Sequence, residues 1–393
     1  MNELATKLTR LVNKERIKST LFEMVKIPSP TTHARPFAEY FAGVLRGVGM
    51  TDVQLIETPN WPESPSVVGW RRGAAGGPTL HFNGHMDHIH QEHVAPYIEG
   101  DLVYGRGSAD MKFGLAGMVE LVRVLNDAGV QLPGNLLLSG HDMHEGPWGH
   151  SEGVRNLIER GFVGDAVIVT EGPKDAVYIG NTSNALFHID LKWEGASIHE
   201  LTIPDGTPNL LEIGGAVVVA LTELKQRVIA RQDPLLGHER MFLGILRSGD
   251  FYNRLPTSCH IVGTRRFPPE TTRVEVEREI RAAVMAGVGD APIEVKVDAT
   301  SEGNDGFRIS PDMPLVQMLR ASYAEVHGRP LPLGVQLFGA DNAKFLNWGK
   351  TQAVGYGNDL TKAHADLEWC DVNRVVEIVQ VWLVTTLKYF KLA

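Results

Sequence analysis

The sequence predicts an α/β fold of two domains, a mixed-sheet domain with a smaller β-α-β-β-α-β unit of ferredoxin-like order inserted into it. Three observations predict this. The 393 residues exceed what one ordinary hydrophobic core holds. Short apolar strands alternate with helical patterns in the first and last parts of the chain. Between about residues 186 and 300 the order changes, which divides the chain into 1–185, 186–300 and 301–393.

The elements follow in order. Residues 1 to 50 are helical in pattern, with Leu21, Met24 and Val25 on one face, and Ile27-Pro28-Ser29-Pro30 breaks the helix. A second helix runs from about Ala34 to Gly47, and strands follow at Val53 to Glu57, Ser66 to Trp70 and Thr79 to Asn83. Leu115, Met118, Leu121, Val122 and Leu125 share one face of a helix that starts just after Asp110. Leu136 to Leu138 and Ala166 to Thr170 read as short buried strands. The inserted unit reads as strand Leu186 to Trp193, helix Leu210 to Ile229, strands Met241 to Leu246 and Cys259 to Phe267, helix Thr272 to Met285 and strand Ile293 to Val297. The α/β pattern resumes with a helix from Pro314 to His327, another after Ala340, a strand near Gln352 to Tyr356 and a final helix capped by Asp371.

Composition narrows the function classes. Hydrophobic residues make up 43% and charged residues 22%, as in a soluble globular protein. The net charge of −9 comes without a basic patch, which argues against a nucleic-acid partner. No apolar run approaches the ~18 residues of a membrane span, and Met1 to Lys18 lacks the apolar core of a signal peptide, so the expectation is a cytoplasmic protein with no membrane partner. Cys259 and Cys370 are too few for a disulfide framework or a cysteine-type zinc site.

Three apolar strands each end in ionisable residues. His85 and Asp87 follow the first, and their i, i+2 spacing in extended chain turns them to one side. His141-Asp142-Met143-His144-Glu145 follows the second and Glu171-Gly172-Pro173 the third. The carboxyl ends of strands are where open α/β sheets place their sites. Asp110 lies in a glycine-bounded loop ahead of a helix, as a helix cap or, given Gly105 and Gly107, as a group the backbone brings close to a ligand. A neutral imidazole suits a borderline metal ion, and a nearby carboxylate can hold its other ring nitrogen.

In combination these motifs resemble the M20 metallopeptidase and deacylase family, which includes acetylornithine deacetylase, succinyl-diaminopimelate desuccinylase, aminoacylase and the glutamate carboxypeptidases. The likeness rests on Gly84-His85-Met86-Asp87, on Gly105-Arg106-Gly107 through Asp110-Met111-Lys112, on Glu145-Gly146-Pro147, on Glu171-Gly172-Pro173 and on Ala363-His364 with Glu368. It implies one or two divalent ions per subunit, zinc first, with manganese or cobalt as alternatives. His85 and Glu171 would hold one ion, Glu145 and His364 the other, and Asp110 would bridge, with Asp87 behind His85. It also implies that the inserted unit is a lid and dimerisation domain, giving a homodimer or higher homo-oligomer. His199, in Gly195-Ala196-Ser197-Ile198-His199, would reach a substrate oxyanion across the dimer. Asn253, in Asn253-Arg254-Leu255-Pro256, and Arg266 would bind substrate, and a guanidinium fork suits a carboxylate.

The chain departs from the family where the general base is expected. The first residue of the Glu-Glu pair is His144, and the Gly-Gly-Thr-Asp-Ala stretch is Gly339-Ala340-Asp341-Asn342-Ala343. Histidines also crowd the motifs at His81, His88, His90, His93, His141 and His150. The expected function is hydrolysis of a C–N bond in a small, carboxylate-bearing substrate by metal-activated water assisted by His144. The changed base leaves two alternatives open: an aryl-amine aminohydrolase of the 5-nitroanthranilate aminohydrolase type, which releases ammonia, and a catalytically silent binding protein on the same fold.

Overall fold

The computed structural model describes residues 1–336, 339, 341–358 and 362–393. Contacts group the chain into two compact units, one of Met1–Ile179, Ile309–Gly334 and Ala340–Ala393, the other of Gly180–Arg308 and Val335–Gly339. No helix among the described residues is long and apolar enough to cross a membrane.

The first unit is built on a six-stranded mixed sheet in the order Thr51–Thr58, Trp61–Arg71, Asn135–His141, Thr79–His85, Ala166–Val169, Gln352–Gly355. The first two strands form an antiparallel hairpin that joins Asn135–His141 antiparallel, and the remaining pairings are parallel. Leu80, Phe82, Leu136, Leu137 and Leu138 are fully buried, as expected of strands covered on both faces. Two helices cross this sheet, Phe113–Asp127 and Val372–Tyr389. The Trp382 ring meets Phe82 edge-on at 5.6 Å, and a Cβ on Gly117 would lie only 2.7 Å from Trp382, so the close helix contact requires glycine there. Asp371 caps the last helix through the N–H of Asn373 at 2.9 Å. A short helix, Glu152–Glu159, follows the third motif. The sequence does not announce it, because Gly146, Pro147, Gly149 and Gly153 read as loop.

The main sheet and helices of the second unit follow the chain order strand, helix, strand, strand, helix, strand, with a small two-stranded ribbon, Gln232–Asp233 and Gly237–His238, beside them. The main sheet runs Arg240–Ser248, Ser258–Phe267, Ser183–Lys192, Glu294–Glu302, all antiparallel. Phe187, Ile189 and Leu191 alternate inward along one strand and pack with Val217 and Leu221 of Leu210–Ile229 and Ile280 and Val284 of Arg273–Val288. Thr272 and Glu275 form a reciprocal cap on the second helix. Arg240–Ser248 is an edge strand and exposes Phe242, Ile245 and Leu246. The unit's first residue, Gly180, is in register with Arg308, so entry and exit of the main segment adjoin.

Candidate metal centre

His85 ends its strand in register with His141 on the neighbouring strand, and Glu171 follows the Ala166–Val169 strand by two residues. Gly84 lets this end pack: a Cβ there would lie 2.7 Å from Met111 Cε and 2.8 Å from Thr170 Oγ1. Asp110 enters through a loop whose Gly105 and Gly107 have φ of 158° and 81°. Glu368 holds that loop, accepting from the N–H groups of Ala109 at 2.9 Å and Asp110 at 3.2 Å and from Arg106 Nη1 at 2.9 Å.

Asp110 presents one oxygen to each of two imidazoles. Oδ1 lies 3.0 Å from His85 Nε2 and Oδ2 lies 3.4 Å from His364 Nε2. His364 Nε2 is also 2.9 Å from Glu145 Oε1. Ligand atoms of His85, Asp110 and Glu145 lie within 4.8 Å of one another, as do those of His85, His144 and Glu171. The structure thus gathers His85, Asp110, Glu145, Glu171 and His364 in one cluster, with His144 stacked on His85 at 4.1 Å.

Asp87 stands behind His85, with a division of labour. The imidazole Nδ1 is 3.0 Å from the Asp87 main-chain carbonyl and 3.5 Å from its carboxylate. The carboxylate chiefly accepts from Thr31 Oγ1 at 2.9 Å and from the N–H groups of His144 at 3.1 Å and Glu145 at 3.0 Å, so it fixes the loop that carries both.

The electrostatics of the cluster call for cations. Asp87, Asp110, Glu145 and Glu171 are all nearly buried, and buried carboxylates stay ionised only against positive partners. Burial opposes the protonation of His85, yet Asp110 and Asp87 carry its pKa well above the imidazole range. Burial likewise opposes that of His144, whose pKa the Asp341 carboxylate lifts to about 10. Hydrogen bonds to Asp110 and Glu145 raise His364 to about 10. The surrounding carboxylates thus draw all three imidazoles toward their charged forms. Glu171 is pushed up to about 7 by burial, and its Oε2 has no hydrogen-bond partner among the described residues. An orphaned carboxylate oxygen beside imidazole nitrogens fits a divalent ion, and the donor set suits zinc, cobalt or manganese.

Two residues enter the site without having been assigned from the sequence. Asp341 Oδ2 accepts from His144 Nδ1 at 2.8 Å and from His141 Nε2 at 3.0 Å. The signal in the sequence is the acid one place ahead of Asn342, where the family has its aspartate. Three other histidines near the motifs hold structure: His88 Nε2 accepts from Ser29 N–H at 3.0 Å, His93 Nε2 from Glu368 N–H at 2.8 Å, and His81 bonds Ser139.

In the second unit His199 and Asn253 are brought together, with Nε2 3.0 Å from the Asn253 carboxamide, while Nδ1 accepts from Leu201 N–H at 3.3 Å. Asn253, with Ile203, Leu211 and Tyr252, lines a cleft of about 510 Å³. Arg266 lies on the Ser258–Phe267 strand opposite Asn184 and Arg240. Its neighbour Arg265 is the buried one, paired with Glu239 at 2.6 Å and Glu279 at 2.7 Å.

The chain is similar to known proteins along most of its length. It is 25% identical over 326 residues to the succinyl-diaminopimelate desuccinylase of Sulfurovum sp. (strain NBC37-1), covering 80% of this chain and 84% of that one. Its fold superposes on a tripeptidase from Staphylococcus aureus with a TM-score of 0.79 at 18% identity, covering 97% of this chain and all of the other. It superposes on a dinuclear metal binding peptidase from Bacillus subtilis with a TM-score of 0.70 at 13% identity, covering 97% and 99%. Residues 81–388 match the description of peptidase family M20/M25/M40, and the chain therefore belongs to that family, whose members hydrolyse carbon–nitrogen bonds.

Proposed function

We propose that the protein hydrolyses an amide-type C–N bond in a small, carboxylate-bearing substrate, with His85, Glu171, Asp110, Glu145 and His364 holding one or two divalent ions and His144 moving the proton. The observation that carries this reading is the placement of His144: one ring nitrogen is anchored on Asp341, and the ring lies against His85 at the edge of the carboxylate cluster. Divalent ions held by these residues would offset the carboxylates, favour a neutral His144, and supply polarisation of the scissile carbonyl and the attacking water. His144 Nε2 then takes a proton from that water and returns it to the leaving nitrogen. Asp110, with an oxygen toward each of His85 and His364, would be a ligand shared by the two groups. Asp87 keeps His144 and Glu145 in place through their main-chain N–H groups.

The inserted unit acts in this reading as a ferredoxin-like lid that pairs with a second copy. The apolar side chains on its edge strand support that pairing, because an open, apolar strand edge invites another chain. His199 and Asn253 would serve the partner's substrate, His199 at the developing negative charge and Arg266 at the carboxylate. Introducing aspartate at both Phe242 and Ile245 is expected to convert a dimer into a monomer in light scattering; an unchanged mass would remove this edge from the interface.

An imidazole in place of the family's carboxylate base favours a second reading, displacement of ammonia from an activated aromatic amine. A panel of N-acyl amino acids, dipeptides and electron-poor aminobenzoates, tested with zinc, manganese and cobalt in turn, separates the two. Release of an amino acid supports amide hydrolysis, and ammonia from an aminobenzoate alone supports the second reading. Inactivity across the panel together with absence of bound metal would point to a silent binding protein.

A further inference from the structure

His144 is the end of a buried polar chain that runs along one face of the sheet. His81 and Asn83 lie two apart on one strand, Ser139 and His141 two apart on its parallel neighbour, so their side chains share a face. His81 Nε2 lies 2.7 Å from Ser139 Oγ, which accepts from Asn83 Nδ2 at 2.7 Å. Asn83 Nδ2 is 3.2 Å from His141 Nδ1, His141 Nε2 is 3.0 Å from Asp341 Oδ2, and the same oxygen is 2.8 Å from His144 Nδ1. His81, Asn83, Ser139 and His141 are fully buried and Asp341 is 1% exposed.

The donor and acceptor rules fix the direction of this chain. The Asn83 N–H makes His141 Nδ1 an acceptor, so a neutral His141 carries its hydrogen on Nε2 and donates it to Asp341. An ionised carboxylate only accepts, so the His144 nitrogen that faces it, Nδ1, must also carry hydrogen. In the neutral ring the lone pair is then left on Nε2, and that ring has a nitrogen within 4.8 Å of ligand atoms of His85 and Glu171.

We propose that Asp341 is a positioning residue for His144, holding its ring in the Nδ1–H tautomer with Nε2 toward the reaction centre, and that Asn83 and His141 hold Asp341 for that task. The inference rests on His144 being the base. It accounts together for the two departures from the family pattern, since a histidine base needs an acceptor behind it that a carboxylate base does not. It also assigns Asp341 and His141 away from metal binding, although their ligand atoms and that of His144 lie within 4.8 Å of one another: an ion there would displace both imidazole hydrogen bonds to Asp341.

The test uses the zinc-loaded protein with ¹⁵N-labelled histidine, the His144 resonances being assigned by their loss in His144→Gln. Wild-type His144 is expected to show hydrogen on Nδ1 and a bare Nε2. In Asp341→Asn, whose amide can present a donor instead, the tautomer is expected to shift. Turnover should fall by up to about 10⁴-fold, the loss seen when an aspartate behind a catalytic histidine is replaced by asparagine. Zinc content and KM should stay near wild type, and Asp341→Glu should recover part of the lost turnover. Hydrogen on Nε2 in the wild type would overturn the proposal whether or not the variant folds. So would an Asp341→Asn protein with unchanged tautomer and turnover, or one that has lost a zinc ion. A correct tautomer combined with full activity of His144→Ala would instead reject the base reading and leave the positioning of His144 standing.

Discussion

His144→Ala is expected to lower kcat by about 10²–10⁴-fold, the usual contribution of a positioned general base, with bound metal unchanged. The side chain is 19% exposed, so removing it opens a space that water enters and does not gut the core. Its main-chain N–H stays on the Asp87 carboxylate, so the loop that presents Glu145 keeps its anchor. KM should change little, because the imidazole meets a proton in flight and makes no substrate contact in this mechanism. Steady-state kinetics beside elemental analysis of the same preparation decides the matter. Wild-type turnover would end the role of His144 as base. A loss of metal in proportion to activity would make it a ligand, in the group it forms with His85 and Glu171.

Stability is expected to fall on the acid side, and the buried His81 is one identifiable cause. Burial, with a smaller push from His141, depresses its pKa from 6.5 to about 3. Below pH 6.5 the unfolded chain takes up a proton on this residue, whereas the folded chain refuses it until about pH 3. The stabilisation is therefore complete above pH 6.5 and is lost as the pH falls toward 3, and a shift of this size corresponds to about 5 kcal/mol. His88, depressed to about 4 by burial and by the charge of Lys112, acts in the same direction. Urea unfolding of His81→Gln, which keeps a polar partner for Ser139 and cannot titrate, should show a shallower loss of stability between pH 6.5 and 3 than the wild type. Parallel slopes would assign the acid limb to other groups.

The residues of the centre differ in how far the sequence discloses them. His85 and Glu171 are legible because each ends an apolar run, and a run of Leu80 and Phe82 or of Val167 to Val169 has few other ways to be buried. Asp110 is legible from its glycines, which permit the positive φ that the loop adopts. The role of Asp341 is not, because it meets His144 across 197 residues of sequence and no local pattern carries that distance. His141 was visible only as one histidine among several, since spacing gives its face and not its partner. The pair Arg265 and Arg266 shows the same limit: adjacent residues of one type point to opposite faces, and only the fold says that Arg265 is neutralised inside by Glu239 and Glu279. The helix Glu152–Glu159 is hidden for a different reason, being shorter than the window in which a helical period declares itself.

The pairing of Gly180 with Arg308 has a further consequence. A segment whose two ends adjoin closes on itself, and such a loop-like excursion can lengthen, shorten or be replaced without drawing on the strands to either side of it. In the proposed reading of this segment as a lid, the chemistry and the choice of what is admitted to it would then be separately variable. A chimera that carries a relative's segment between these two positions would be a direct way to retune recognition while leaving the reacting groups as they are.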